Sequence, residues 1–231
     1  QIGAECIGEK NNLADVEMMD LAYSALKLVG IREISIEISS RIFIDNFYEI
    51  IKESKNTDEI KRLIKQKDLK GVLNLLDKNK HQYLKDIFNC TGSYFEKKIN
   101  LEKLKIDKKN SQEIENIKNI IKIFHRDNKG IKIFLDLCEI DDKNYHKGIR
   151  FTFFANNVRG EIARGGRYII HNTDKKENAT GFTCYMDTIL RASSYKATTK
   201  KIMTNSGLSK IKKKKLIEKG YIILTHFDDV K

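Results

Sequence analysis

The sequence predicts an α+β fold: an antiparallel sheet with flanking helices, interrupted by a helical insertion and followed by a short C-terminal βαβ-like tail. Two patterns predict it. Residues 1–8 and 34–38 alternate with the period of a strand and 149–154 with 158–170 reads as an antiparallel strand pair, whereas residues 43–125 place apolar side chains at three- and four-residue steps. A hydrophobic content of 40% over 231 residues is enough to build a core beneath such a sheet.

In the first strand Ile2, Ala4 and Cys6 point one way, and Gln1, Gly3 and Glu5 the other. Leu13 to Val29 reads as a helix that Gly30 ends in a left-handed cap. Ile34-Ser-Ile-Glu-Ile38 alternates as a half-buried strand. From Phe43 onward the groups Phe47/Ile50/Ile51, Ile60/Leu63/Ile64 and Val72/Leu75/Leu76 mark short helices separated by Asn, Asp and Gly breaks. Ile131-Lys-Ile-Phe-Leu-Asp136 returns to strand, and Ile149–Phe154 with Val158–Ile170 reads as an antiparallel pair around Asn156-Asn157. A helix is expected from near Gly181, with Phe182, Tyr185, Met186, Ile189 and Leu190 on its apolar face. Lys201–Met203, a helix around Leu208–Lys219 and Tyr221–Leu224 make the tail. The expected organisation is therefore a core in two parts, 1–42 and 129–193, around a helical insertion at 43–128, with the tail at 194–231.

Composition narrows the function classes. No apolar run approaches the roughly 18 residues of a membrane span. Cys6, Cys90, Cys138 and Cys184 are far apart and the five histidines are scattered, so neither a zinc site nor a disulfide framework is expected. Buried, reduced thiols in a cytoplasmic protein are the expectation, with no metal and no cofactor. The net charge of +12 invites a nucleic-acid partner. Against it, the densest basic run, Lys210-Ile-Lys-Lys-Lys-Lys215, has no interleaved aromatic for base stacking. The absence of proline and the wealth of Lys, Ile and Asn fit a drift in composition instead.

Gln1 and Glu5 project to the same face with only Gly3 between them, a slot that would suit a ligand carrying an ammonium group and a ring N–H. Gly165-Gly166 is no nucleotide loop, since it lacks GxGxxG and GxxxxGK[ST]; it permits close backbone approach and reads as a tight bend.

Five fragments, in order, carry a resemblance: Gln1-xxx-Glu5-xx-Gly8, Ala14-Asp-x-Glu17, Asp136 with Tyr145 and Gly148, Gly165-Gly-Arg-Tyr168, and Ala179-Thr-Gly-Phe182. Together they resemble the amino-acid-binding core of histidyl-tRNA synthetase-like proteins. The resemblance implies a class II aminoacyl-tRNA synthetase-like sheet, with motif 1 and the start of motif 2 upstream of Gln1. It also implies a histidine pocket lined by Gln1, Glu5, Tyr145, His146, Gly165, Gly166 and Tyr168. Glu5 would meet the ligand ammonium or ring N–H, and Tyr168 would hydrogen-bond or pack on the ring.

The departures from that pattern point away from catalysis. Asp141 and Asp142 stand where the family has Arg-Gly, His146 where it has a second Tyr, Ile169 where it has Asp, and Asp187-Thr188 where motif 3 has Glu-Arg. Forming an aminoacyl adenylate needs cations on the triphosphate, which aspartate and threonine cannot supply. Lys143, Lys147, Arg150 and Arg191 lie nearby in sequence, but a lysine lacks the bidentate fork and two sites would need rescue together. After motif 3 only Ser193–Lys231 follow, in place of an anticodon-binding domain.

A synthetase-like core of this kind resembles the regulatory subunit of ATP phosphoribosyltransferase (the HisZ family). That resemblance implies a non-catalytic partner of the short-form catalytic subunit, which joins ATP and phosphoribosyl pyrophosphate in the first step of histidine biosynthesis. It implies a homodimer within a hetero-oligomer and a part in histidine feedback. The alternatives are a divergent or truncated histidyl-tRNA synthetase and a tRNA-binding paralogue.

Overall fold

The computed structural model describes residues 1–52, 54–104, 108–139, 145–171, 176–194 and 200–226, in two compact units, Gln1–Ser194 and Tyr195–Lys231. No helix among the described residues is long and apolar enough to cross a membrane.

The first unit opens with β1 (Ile2–Ile7), α1 (Leu13–Leu28) and β2 (Ile34–Ser40). Helix α1 ends as its sequence suggests. Gly30 is left-handed, its N–H reaches Lys27 O at 2.9 Å, and the Ile31 N–H reaches Leu26 O at 3.2 Å. That pair of bonds is a Schellman cap, and Ile31 is buried beyond it.

A mainly helical run follows: α2 (Arg41–Ile51), α3 (Thr57–Lys65), α4 (Leu69–Asn74), α5 (Lys78–Cys90), α6 (Tyr94–Lys103) and α7 (Lys108–Asp127). Ser40 caps α2 by accepting from the Ile42 N–H. The run also contributes a two-residue strand, β3 (Gly92–Ser93). Strands β4 (Lys132–Leu135), β5 (His146–Ala155), β6 (Glu161–His171) and β7 (Lys176–Cys184) then complete the sheet, and α8 (Met186–Ala192) closes the unit.

The strand order is β1-β7-β6-β5-β2-β4-β3, antiparallel throughout except for the parallel β2–β4 pair, whose crossover is the helical run. The apolar face carries Ile36, Ile38, Phe151 and Phe153, all fully buried or nearly so, beneath α1 (Met19, Ala22, Leu26) and α7 (Ile117, Ile121, Phe124). Tyr23 of α1 lies between Phe124 and Phe153, with ring centroids 6.1 and 6.4 Å away.

Two expectations are corrected. The helix expected from near Gly181 begins only at Met186, because Gly181–Cys184 is the end of strand β7. Ala179, Thr180, Gly181 and Phe182 are all buried between two neighbouring strands, so this segment has no period-two alternation to read. Gly165-Gly166 is not a bend but the middle of β6. A Cβ on Gly165 would come 2.3 Å from Gly181 O and 2.4 Å from Phe151 Cζ, so glycine is needed there for close strand packing.

The second unit is a parallel pair, β8 (Lys200–Asn205) and β9 (Tyr221–His226), joined by α9 (Lys210–Glu218). Ser209 caps α9 by accepting from the Lys212 N–H. No α9 side chain is fully buried, so the lysine run occupies a largely solvated helix.

One buried ion pair crosses the first unit. Arg167 of β6 donates from Nε (3.1 Å) and Nη2 (2.8 Å) to Asp15 of α1, and also to the carbonyls of Glu9 (2.8 Å) and Asn11 (2.9 Å). Asp15 is fully buried. Arg167→Ala is therefore expected to destabilise the protein by about 3–5 kcal/mol, because it strands a buried carboxylate. Urea unfolding measures this; a loss below about 1 kcal/mol would show that the clamp does not hold the sheet.

Candidate functional site

Because β-strands alternate faces, the register alone places the polar face. Three rows run across the sheet. Gly3, Thr183, Arg164, Thr152 and Glu37 form the first; Glu5, Gly181, Gly166, Arg150 and Ser39 the second; Ile7, Ala179, Tyr168 and His146 the third. A cavity of about 150 Å³ lies over the glycines of the second row, lined by Glu5, Tyr145, His146, Arg164, Gly165, Gly166, Tyr168, Gly181, Phe182, Thr183 and Tyr185.

The floor depends on missing side chains. A Cβ on Gly181 would sit 2.3 Å from Glu5 Oε2, and one on Gly166 would sit 2.9 Å from His146 Nδ1 and 2.6 Å from Ile149 O. Gly166 also has φ +155, a conformation L side chains rarely adopt. Opposite it β5 is irregular: His146 pairs with Tyr168 and Arg150 with Gly166, so three residues of β5 face the single Arg167.

One end of the cavity is aromatic and acidic. The Tyr168 hydroxyl donates to Glu5 Oε2, and Tyr145 stacks on Tyr168 at 4.7 Å and 22°. Tyr145 also meets His146 edge-on at 5.1 Å. Burial, then the bond to Glu5, pushes the Tyr168 hydroxyl well above the usual phenol range, so it remains a donor at neutral pH. The site thus offers a carboxylate held by a phenol, which suits a cationic or N–H-bearing group.

The other end is a charged network. Glu139 accepts from Arg150 Nη2 at 2.9 Å and from the Ser39 hydroxyl, and lies 3.7 Å from Arg164 Nη2. Arg164 Nη2 also pairs with Glu161 at 2.6 Å. Asp136 is turned away from the cavity, holding Lys67 and accepting from the Cys138 N–H at 3.0 Å.

Of the residues expected at a ligand site, Glu5, Tyr145, His146, Gly165, Gly166 and Tyr168 line this one cavity. Gln1 is exposed and is not among its lining residues. Asp141, Asp142 and Lys143 lie outside the described residues. Thr188 is buried in α8, and Arg191 reaches its hydroxyl at 3.3 Å from a mostly exposed position one turn on. Sequence reasoning missed Arg164, Gly181, Phe182, Thr183 and Tyr185. Arg164 was within reach: it stands two and four residues before Gly166 and Tyr168, on the same face of a strand. Cys138 and Cys90 do not contribute nucleophiles, since burial pushes their thiols up to about 12 and about 11.

Glu37, in the first row, is pushed up to about 7 by burial and then by the carboxylates of Asp136, Glu139 and Glu161, with Lys67 opposing. A raised carboxyl pKa means that the folded state binds the extra proton, so this group costs stability as pH rises from about 4.5 to about 7. Glu37→Gln is expected to gain on the order of 1–2 kcal/mol over the wild type at about pH 8, allowing for solvent screening, and almost nothing near pH 4. Urea unfolding at both pH values checks this; an equal difference at both would refute it.

The histidyl-tRNA synthetase family model matches residues 1–189. Among curated relatives, the ATP phosphoribosyltransferase regulatory subunit of Ruminiclostridium cellulolyticum is 28% identical over 199 residues, 83% of this chain and 48% of that protein. The subunit of the same name from Lactococcus lactis is 27% identical, over 83% of this chain and 58% of that protein. The chain thus spans about half the length of the curated relatives it matches. Among solved structures, an ATP phosphoribosyltransferase regulatory subunit/histidyl-tRNA synthetase from Bacillus halodurans has a TM-score of 0.71 at 18% identity, over 97% of this chain and 62% of that one. The HisG:HisZ ATP phosphoribosyl transferase complex of Thermotoga maritima gives 0.60 at 13% identity, over 79% and 65%. With its synthetase-like sheet, its row of glycines and a family match across most of its length, the chain belongs to the histidyl-tRNA synthetase family and has a class II synthetase-like fold.

Proposed function

We propose that this chain is the synthetase-like part of a non-catalytic regulatory subunit of ATP phosphoribosyltransferase. In this reading it binds histidine and activates a short-form catalytic subunit, as a homodimer within a hetero-oligomer. The observation that carries it is a cavity of single-amino-acid size next to a helix that lacks the cation adenylate chemistry would need. Helix α8 follows directly from the cavity floor on β7, and it offers exposed Asp187 and neutral Thr188 where the synthetase pattern has Glu-Arg. Arg191 is close, but it bonds to its own helix at Asp187 O and Thr188 Oγ1 and does not line the cavity. A pocket that can read an amino acid without handling a triphosphate fits a sensor better than a ligase. The names of the curated relatives and the fold shared with the Thermotoga complex support this reading.

Regulation needs the ligand to bind two states of the complex with different affinity. Mixing the full-length protein with the short-form catalytic subunit of the same source is expected to produce phosphoribosyl-ATP only in the mixture, and less of it when histidine is added. Absence of activation, together with histidine-dependent ATP–pyrophosphate exchange by this protein alone, would replace the regulatory reading with a synthetase.

Glu5→Gln tests the pocket itself. Losing the charge of a hydrogen-bonded carboxylate is expected to weaken histidine binding about ten- to a hundredfold by calorimetry. Unchanged affinity would show that the pocket is vestigial.

A further inference from the structure

We propose that Arg164 anchors the carboxylate of the bound amino acid, so that the cavity reads a zwitterion: Glu5 and Tyr168 take the ammonium end and Arg164 the acid end. This rests on the histidine-binding reading above and adds the residue that selects a free amino acid over its amine or alcohol analogues.

Four observations carry it. Arg164 is the only lysine or arginine among the described residues that line the cavity. The other cations nearby are committed elsewhere: Arg150 is almost fully buried on Glu139, Arg167 is on the opposite face with Asp15, and Lys67 holds Asp136. Arg164 is held in place rather than free, with Nη2 on Glu161 at 2.6 Å and 3.7 Å from Glu139. Its Nε is buried without a hydrogen-bond partner, a donor that an incoming carboxylate would satisfy.

The span also fits. Arg164 and Glu5 stand two strands apart and two residues out of register, which puts their Cα atoms roughly 12 Å apart at ordinary strand spacing. A carboxylate and a guanidinium reaching inward from those positions leave room for one small molecule charged at both ends, above Gly181 and Gly166. Glu5 at one end and the Arg164 guanidinium at the other offer a partner to each end of a zwitterion. Arginine suits this role because its planar guanidinium presents paired donors to a carboxylate.

The test is calorimetric titration of the full-length protein with histidine and with histidinol, which has an alcohol in place of the carboxylate. The wild type is expected to bind histidine about ten- to a hundredfold more tightly than histidinol. Arg164→Gln is expected to remove that preference by weakening histidine alone, and Arg164→Lys to restore part of it. Thermal melts confirm that each variant is folded, and Glu139 keeps Arg150 as its partner in both. Equal affinity of the wild type for the two ligands overturns the proposal whatever the variants do. So does an Arg164→Gln variant that weakens both ligands alike, which would mark a structural role, or one that changes neither. In these cases histidine still binds, and the histidine-binding reading stands. If the wild type binds neither ligand, that reading fails and the Arg164 proposal fails with it.

Discussion

The structure depends on the clamp between Arg167 and Asp15. Arg167 belongs to the third strand from the sheet edge and Asp15 to the first turn of α1, yet four hydrogen bonds from one guanidinium join them to each other and to the chain between β1 and α1. Strand β7 is thereby held between β6 and β1. A buried ion pair need not add net stability over an apolar contact of equal volume. Its more useful consequence is geometric. A one-residue slip of β6 would turn Arg167 to the polar face and Gly166 into the core, so the pair and the cavity floor require the same register.

The glycines depend on that register from the other side. Gly181 makes room for Glu5, Gly166 for His146 and the Ile149 carbonyl, and Gly165 for Phe151. Two of these requirements concern the cavity and one concerns the core, although the residues are neighbours in sequence or in the ladder. Packing on one face and an opening on the other therefore come from a single short stretch of β6 and its partner on β7. The two sequence fragments that seem unrelated in one dimension, Ala14-Asp-Val-Glu17 and Gly165-Gly-Arg-Tyr168, meet here through Asp15 and Arg167.

Much of this was legible in the sequence where the controlling interaction is local. The strand Ile2–Ile7 and the end of α1 at Gly30 follow from alternation and from a left-handed cap, both contained within a few residues. Strand β7 was not legible, because it is buried by neighbours on both sides and its Phe182 joins Tyr185, Met186 and Ile189 in a false continuation of helix α8. The Glu139 network was invisible for another reason: Ser39 is 100 residues from Glu139 in the chain and meets it only because β2 and β4 pair in parallel. At the cavity, strand parity was a good guide to face but not to reach. Gln1 shares the face of Glu5 and still lies outside the lining, whereas Arg164 shares the face of Tyr168 and lies within it.

These distinctions separate what the fold needs from what a ligand needs. Arg167, Asp15 and the glycines fit the strands to one another and to α1, so folding accounts for their presence and they say little about binding. A cavity could outlast its chemistry simply because its floor is part of the ladder. The polar walls are different. Glu5 keeps a carboxylate against a phenol whose ionisation burial has already suppressed, and Arg164 keeps a buried donor without a partner. An unpaired buried polar atom such as Arg164 Nε costs stability. At Arg164 that cost falls on the cavity wall itself, which is the stronger sign that the cavity is used.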